Sequence, residues 1–153
     1  MKAILLLTLI LPTLALALSG KVIKVLDGDT ITILQNKQQV KVRLYGIDAP
    51  EKKQAYGEKS RKFLANLIAG QIVEVKEKGK DKYKRVLGVV FHKGQDINAQ
   101  MVSNGYAWAF VKYSKDYVKH QEYAVSKKFG LWADKEPIAP WEWRKNPTSG
   151  KFL

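Results

Sequence analysis

The sequence predicts an α+β fold, mainly β with helices, in which five strands close a barrel and three α-helices accompany them. Two observations predict it: apolar and polar residues alternate through most of the first half, and a helical apolar stripe interrupts that alternation after the third strand. Residues 21–26 read as the first strand. Ile31 and Ile33 can face Val40, Val42 and Leu44 across a turn near Asn36-Lys37, which puts Thr30, Thr32, Lys41 and Arg43 on the other side. Residues 58–69 place Phe63, Leu64, Leu67 and Ile68 on one helical face, and Gly70 can end that helix. The fourth and fifth strands fall at residues 71–77 and 86–91, on either side of a charged turn. Asp96 can cap a short helix carrying Ile97, Met101 and Val102, and a third helix covers residues 116–128. From Trp132 onward, Pro137, Pro140 and Pro147 predict irregular structure. Five short strands with a helix after the third favour a closed barrel of the oligonucleotide-binding type, the OB fold. An ordinary α+β sandwich is the alternative.

The chain has 153 residues, enough for one domain with a real core. Residues 3–18 are almost wholly apolar after the basic start Met1-Lys2, and Ala15-Leu16-Ala17 offers small residues where a signal peptidase reads. Residues 1–17 are therefore expected to be a signal peptide, residues 18–134 the folded domain, and residues 135–153 an irregular tail rich in Trp and Pro. The apolar stretch is short for a membrane span and holds Pro12, so export to the periplasm or medium is expected, without stable membrane insertion. There is no cysteine, which excludes disulfides, thiol nucleophiles and thiolate zinc sites. The formal net charge of +13 suits a partner that is a polyanion: nucleic acid, acidic glycan or anionic lipid surface. A monomer is expected.

Two segments concentrate the chemistry: Asp27-Gly28-Asp29-Thr30, and Arg43-Leu44-Tyr45-Gly46-Ile47-Asp48-Ala49-Pro50-Glu51. Asp29 precedes one strand of the hairpin and Asp48 follows its partner, so antiparallel pairing brings both carboxylates to one end of the sheet. Two carboxylates with a backbone carbonyl suit Ca²⁺, and the absence of histidine from both segments argues against zinc. Arg43, with Arg85 from Lys82-Tyr83-Lys84-Arg85, can grip a phosphate and stabilise added charge on it. Strict alternation sets Asp29 and Arg43 on opposite faces, so their convergence requires a twist or bulge at the strand end. Glu51 can act as general base or orient an attacking water; a solvated glutamate beside Lys52 and Lys53 is the even alternative. Tyr83 and Tyr113 can stack on bases or pack a core edge. The lysines between positions 76 and 84 read as a solvated hairpin tip that would also raise local polyanion concentration. Taken together, carboxylates beside arginines read as a site for metal-assisted phosphodiester hydrolysis.

These segments, with Asp81-Lys82-Tyr83-Lys84-Arg85 and Asn104-Gly105-Tyr106-Ala107, resemble the staphylococcal nuclease (thermonuclease) family over residues 21–132. The family consists of secreted, Ca²⁺-dependent nucleases on a barrel of this type. The resemblance implies that Asp29, Asp48 and the carbonyl of Ala49 ligate Ca²⁺, with Asp27 supporting them from behind. It further implies that Arg43 and Arg85 contact the scissile phosphate, that Glu51 handles the attacking water, and that Lys82, Tyr83 and Tyr113 help hold the nucleotide. DNA and RNA would both be substrates, cut with little sequence specificity to leave 3′-phosphate ends. Ala49 replaces a threonine of the staphylococcal enzyme, Lys84 a glycine common before the second arginine, and the loop after Glu51 is shorter. Residues 140–144, Pro-Trp-Glu-Trp-Arg, have no role that the sequence supplies. A non-catalytic nucleic-acid-binding module on the same barrel is the competing reading, and a glycan-binding adhesion protein would explain the charge but not the carboxylates.

Overall fold

The computed structural model describes residues 17–147; the expected signal peptide lies almost wholly outside them, as does the end of the tail. Strands β1 (Leu18–Asp27), β2 (Thr30–Gln35) and β3 (Gln38–Leu44) form an antiparallel meander. The β2–β3 turn places both Asn36 and Lys37 at positive φ (48° and 65°), the backbone twist that two-residue hairpins require. Helix α1 (Gly57–Ile68) follows a short strand β4 (Ile47–Asp48), and then come β5 (Ile72–Lys80) and β6 (Val86–His92). β5 pairs with β1 and β6, and β3 pairs in parallel with β6 through Val42–Val86 and Leu44–Gly88. That last pairing closes the five-stranded barrel of an OB fold.

The alternating residues fill the barrel as expected: Val22, Ile31, Ile33, Val42, Leu44, Val73, Val75 and Val90 are all buried. Helix α1 covers one end with Leu64 and Ile68. After the short strand β7 (Gln95–Asp96), helix α2 (Ile97–Ser103) buries Ile97, Met101 and Val102, with the Asp96 side chain accepting the Ala99 N–H at 2.9 Å as N-cap. Strand β8 (Trp108–Ala109) pairs with β4, helix α3 spans Val118–Lys127, and a 3₁₀ turn occupies Gly130–Ala133.

The tail differs from expectation. Residues Pro140–Lys145 form a fourth helix, α4. Pro140 is its first residue, where the missing N–H and fixed φ start a helix rather than break one. The ring of Trp141 stacks on Phe110 (5.4 Å, 10°) and meets Trp108 edge-on (5.5 Å), so α4 is held against the domain and does not trail from it. No helix among the described residues is long and apolar enough to cross a membrane.

Candidate active site

Asp29 and Asp48 meet because three backbone features bring their elements together. The β1–β2 register slips between Val25 and Asp27, a bulge at the strand end where convergence was required. The Leu44 N–H donates to the Asp29 carbonyl at 2.8 Å, which ties the start of β2 to the end of β3. Gly28 lies so close to the neighbouring elements that a Cβ there would overlap Ser60 Oγ on α1 and sit 2.7 Å from the Ala49 methyl. Only glycine lets the helix and the Asp48–Ala49 segment close over this turn. The Tyr45-Gly46 turn leading to Asp48 is fixed from below by buried Asn98, whose amide donates to the Tyr45 carbonyl at 2.9 Å.

Asp29 and Asp48 are almost fully enclosed, at 5% and 1% exposure. Asp29 accepts the Ala49 N–H at 2.6 Å and the Thr30 hydroxyl at 3.1 Å. Asp27 accepts the Asp29 N–H at 3.0 Å and so shapes the turn from behind. Arg43 does not stay on the outer face assigned by alternation. Its long side chain folds over the strand end, donates to the Leu44 and Ile47 carbonyls (2.7 and 2.9 Å), and reaches Asp29 and Asp48 at 3.1 Å each.

The remaining predicted residues line the same cavity, of about 600 Å³: Ala49, Glu51, Lys82, Tyr83, Arg85 and Tyr113. Arg85 is aimed by Asp81, which binds its Nε at 2.6 Å and also accepts the N–H groups of Tyr83 and Arg85. Burial pushes the Asp81 carboxyl up, but these hydrogen bonds and the Arg85 charge outweigh it and hold the group below the usual range. Lys84 takes the left-handed conformation (φ 62°) that glycine would adopt freely, so the turn before Arg85 is kept despite the side chain. Tyr83 and Tyr113 expose most of their rings at the cavity rim, and Lys82 lies over Tyr83 at 5.1 Å.

One residue in this cavity was not anticipated. Arg144 of α4 binds Asp48 through both carboxylate oxygens (2.7 and 3.3 Å) and Glu51 Oε1 at 2.7 Å. The only sequence signal was the Pro-Trp-Glu-Trp-Arg segment itself, which lies in a region read as irregular.

Around the acidic pair, Asp29, Asp48 and Glu51 bind the two guanidiniums of Arg43 and Arg144 with Asp27 beside them, while Arg85 across the cavity is paired with Asp81. The surplus negative charge favours either a bound cation or a proton. Burial first, then the charge of Asp29, pushes the Asp27 carboxyl up to about 7. Burial likewise raises Asp48, against the opposing hydrogen bond from Arg144. The Arg144 guanidinium is held protonated even more firmly than usual by its hydrogen bond to Asp48. His92 and His120 are engaged elsewhere, at the Ile72 carbonyl and the Ser103 hydroxyl. The atoms this acidic pair offers a cation are therefore oxygens, the kind a hard divalent cation takes, and among the described residues no three acidic or histidine side chains form a ready-made metal cluster.

A buried acidic pair bridged by one arginine, with a second arginine across the cavity, sits on a closed five-stranded barrel. The family model described as "Staphylococcal nuclease homologue" matches residues 41–134. The chain belongs to the staphylococcal nuclease family. A Haemophilus influenzae protein named as an uncharacterized endonuclease is 49% identical over 128 residues, covering 82% of this chain and 72% of its own. A micrococcal nuclease of Shigella flexneri is 42% identical over 139 residues, covering 82% and 80%. The staphylococcal-like nuclease CAN1 of Arabidopsis thaliana is 34% identical over 130 residues, covering 81% of this chain and 40% of its own. The family match ends at residue 134, so it leaves out α4 and Arg144.

Proposed function

We propose that this member of the staphylococcal nuclease family is a Ca²⁺-dependent enzyme that hydrolyses phosphodiester bonds in DNA and RNA, with little sequence preference, to leave 3′-phosphate ends. The observation that carries the reading is the convergence of Asp29, Asp48, Glu51, Arg43 and Arg85 in one cavity of a nuclease-family barrel. Asp29, Asp48 and the Ala49 carbonyl would hold the cation, and Asp27 would keep the turn beneath them in shape. Bound there, Ca²⁺ would offset charge on the scissile phosphate.

Glu51 takes the proton of the attacking water as its oxygen bonds to phosphorus. The bond from phosphorus to the 5′-oxygen breaks, and that oxygen leaves as a hydroxyl with a proton from solvent. Arg85 and Arg43 donate to the phosphoryl oxygens as charge builds on them. Tyr83 and Tyr113 give flat faces for bases, and Lys82 a cation for the backbone; none of these reads base identity. The apolar segment ahead of residue 18 supports export before folding, with β1 beginning at Leu18.

The test is purified protein on single-stranded DNA, duplex DNA and RNA, with Ca²⁺, with Zn²⁺ or with chelator, followed by end-group analysis. Cleavage in Ca²⁺ alone, leaving 5′-hydroxyl and 3′-phosphate ends, is the expected result. Undiminished cleavage in chelator, or 5′-phosphate ends, would overturn it. Salt-sensitive binding without any cleavage would favour the binding module instead.

A further inference from the structure

We propose that Arg144 is a positioning residue that holds the carboxylates of Asp48 and Glu51 in their working relation, which makes the C-terminal helix α4 part of the active site. The inference rests on the nuclease reading above and assigns a role to a residue beyond the stretch, residues 41–134, that the family model matches. Its basis is a fork geometry: one guanidinium nitrogen, Nη1, spans Glu51 Oε1 (2.7 Å) and Asp48 Oδ1 (3.3 Å), while Nη2 holds Asp48 Oδ2 (2.7 Å). A planar guanidinium can take both oxygens of one carboxylate in a rigid fork and a second carboxylate beside it, whereas a lysine ammonium has three donors but no such fork.

The arginine is placed from two sides. Helix α4 has six residues, too few to persist by itself, so its position comes from docking. Trp141, stacked on Phe110 and set against Trp108, supplies one anchor. Gln54 supplies the other: its side chain accepts the Glu51 N–H at 3.0 Å and donates to the Ile138 carbonyl at 2.7 Å. The loop carrying Glu51 and the segment entering α4 are therefore fixed to each other independently of Arg144. The Glu51 side chain is 36% exposed, so it has free rotamers to lose, and the guanidinium selects one of them. Asp48, by contrast, is already enclosed by the barrel, so the arginine's chief effect falls on Glu51. A positive group on Asp48 also opposes any cation there, so removing it should not weaken cation binding.

The test uses the mature protein and its Arg144→Ala, Arg144→Lys and Trp141→Leu variants. The measurements are kcat and KM on a single-stranded oligonucleotide in Ca²⁺, Ca²⁺ affinity by calorimetry without substrate, and the melting temperature. Arg144→Ala should lower kcat about 10- to 100-fold, the scale of a misplaced reacting group, with KM nearly unchanged. Ca²⁺ affinity should hold or tighten, and millimolar guanidinium ion should restore part of kcat. Arg144→Lys should recover little, and Trp141→Leu should reproduce the kcat loss by shifting the helix. Unchanged kcat in Arg144→Ala would overturn the proposal. So would a kcat loss matched by weaker Ca²⁺ binding and a lower melting temperature, because that pattern means general disruption. A wild-type protein that fails to cleave in Ca²⁺ would overturn both this proposal and the nuclease reading, whereas a cleaving wild type with an indifferent Arg144→Ala overturns this one alone.

Discussion

Replacing Arg43 by methionine keeps the aliphatic stem and removes four polar contacts at once: two carbonyls at 2.7 and 2.9 Å and two buried carboxylates at 3.1 Å. Breaking a buried ion pair from one side costs about 3–5 kcal/mol, because a charge is left without its partner. Here the lower end applies. Asp29 keeps the Ala49 N–H and the Thr30 hydroxyl, and Asp48 keeps Arg144, so neither is stranded. Arg43→Met should therefore lose about 3 kcal/mol in chelator, or on the order of 10 °C in melting temperature for a domain of this size. Ca²⁺ should stabilise the variant more than the wild type, since losing one positive charge leaves a more negative site for the cation. Urea melts followed by circular dichroism, in chelator and at several Ca²⁺ concentrations, measure both effects. Arg61→Met is the control, because Arg61 pairs with Glu58 on an exposed face of α1 and its loss should leave the melt unchanged. A loss below about 1 kcal/mol for Arg43→Met, or equal Ca²⁺ increments in both proteins, would refute the claim that this arginine neutralises the acidic pair.

Glu51→Gln keeps size and hydrogen bonding but not basicity; turnover should fall on the order of 10²-fold while oligonucleotide affinity holds, and unchanged turnover would remove Glu51 from the mechanism. Gly28→Ala would press its methyl on Ser60 and Ala49, so it should cost about 1–3 kcal/mol and weaken Ca²⁺ binding by calorimetry. In metal-free protein, folded Asp27 binds a proton near pH 7 that the unfolded chain releases until about 3.8. Stability should thus rise as pH falls from about 8 toward 5, and Asp27→Asn should flatten most of that rise; Asp48, also raised, contributes in the same direction.

The strands were legible because their signal is local. Ile31, Ile33, Val40 and Val42 alternate within one hairpin, and Asn36-Lys37 marks its turn without long-range information. The α1 and α2 boundaries followed in the same way from Gly70, Asp96 and Gly105. Pro140 misled because proline has two positional meanings. Inside a helix it breaks the ladder, and at the first position it starts one; only the docking of Trp141 on Phe110 decides between them here. The carboxylates were legible as a pair because a hairpin joins their segments. Their meeting with Arg43 was not, since it depends on a bulge and on a side chain that curls back over its own strand end.

Arg144 shows where sequence reading stops. It is 93 positions from Glu51, and no periodicity connects the two. The enclosed carboxylates nevertheless call for such a residue. Asp48 is enclosed by the barrel and lies beside Asp29, and two carboxylates so placed repel each other and resist burial. A cation could relieve this, but a chain that folded only around its cation would leave the acidic turn unformed whenever the ion was scarce. Arg43, from the strand next to Asp29, contacts one Asp48 oxygen; Arg144, from the far end of the chain, contacts both. Arg43, which spans both carboxylates, holds the acidic turn by protein groups before any ion arrives, and Arg144 adds a second partner for Asp48 while it orients Glu51. The two guanidiniums do not cancel the full charge of the acidic cluster; burial first and the Asp29 charge second raise Asp27, and a divalent ion would neutralise the remainder. Preorganisation by arginine and affinity for a cation are thus two outcomes of one charge arrangement: enough positive charge to fold the site, and too little to fill it.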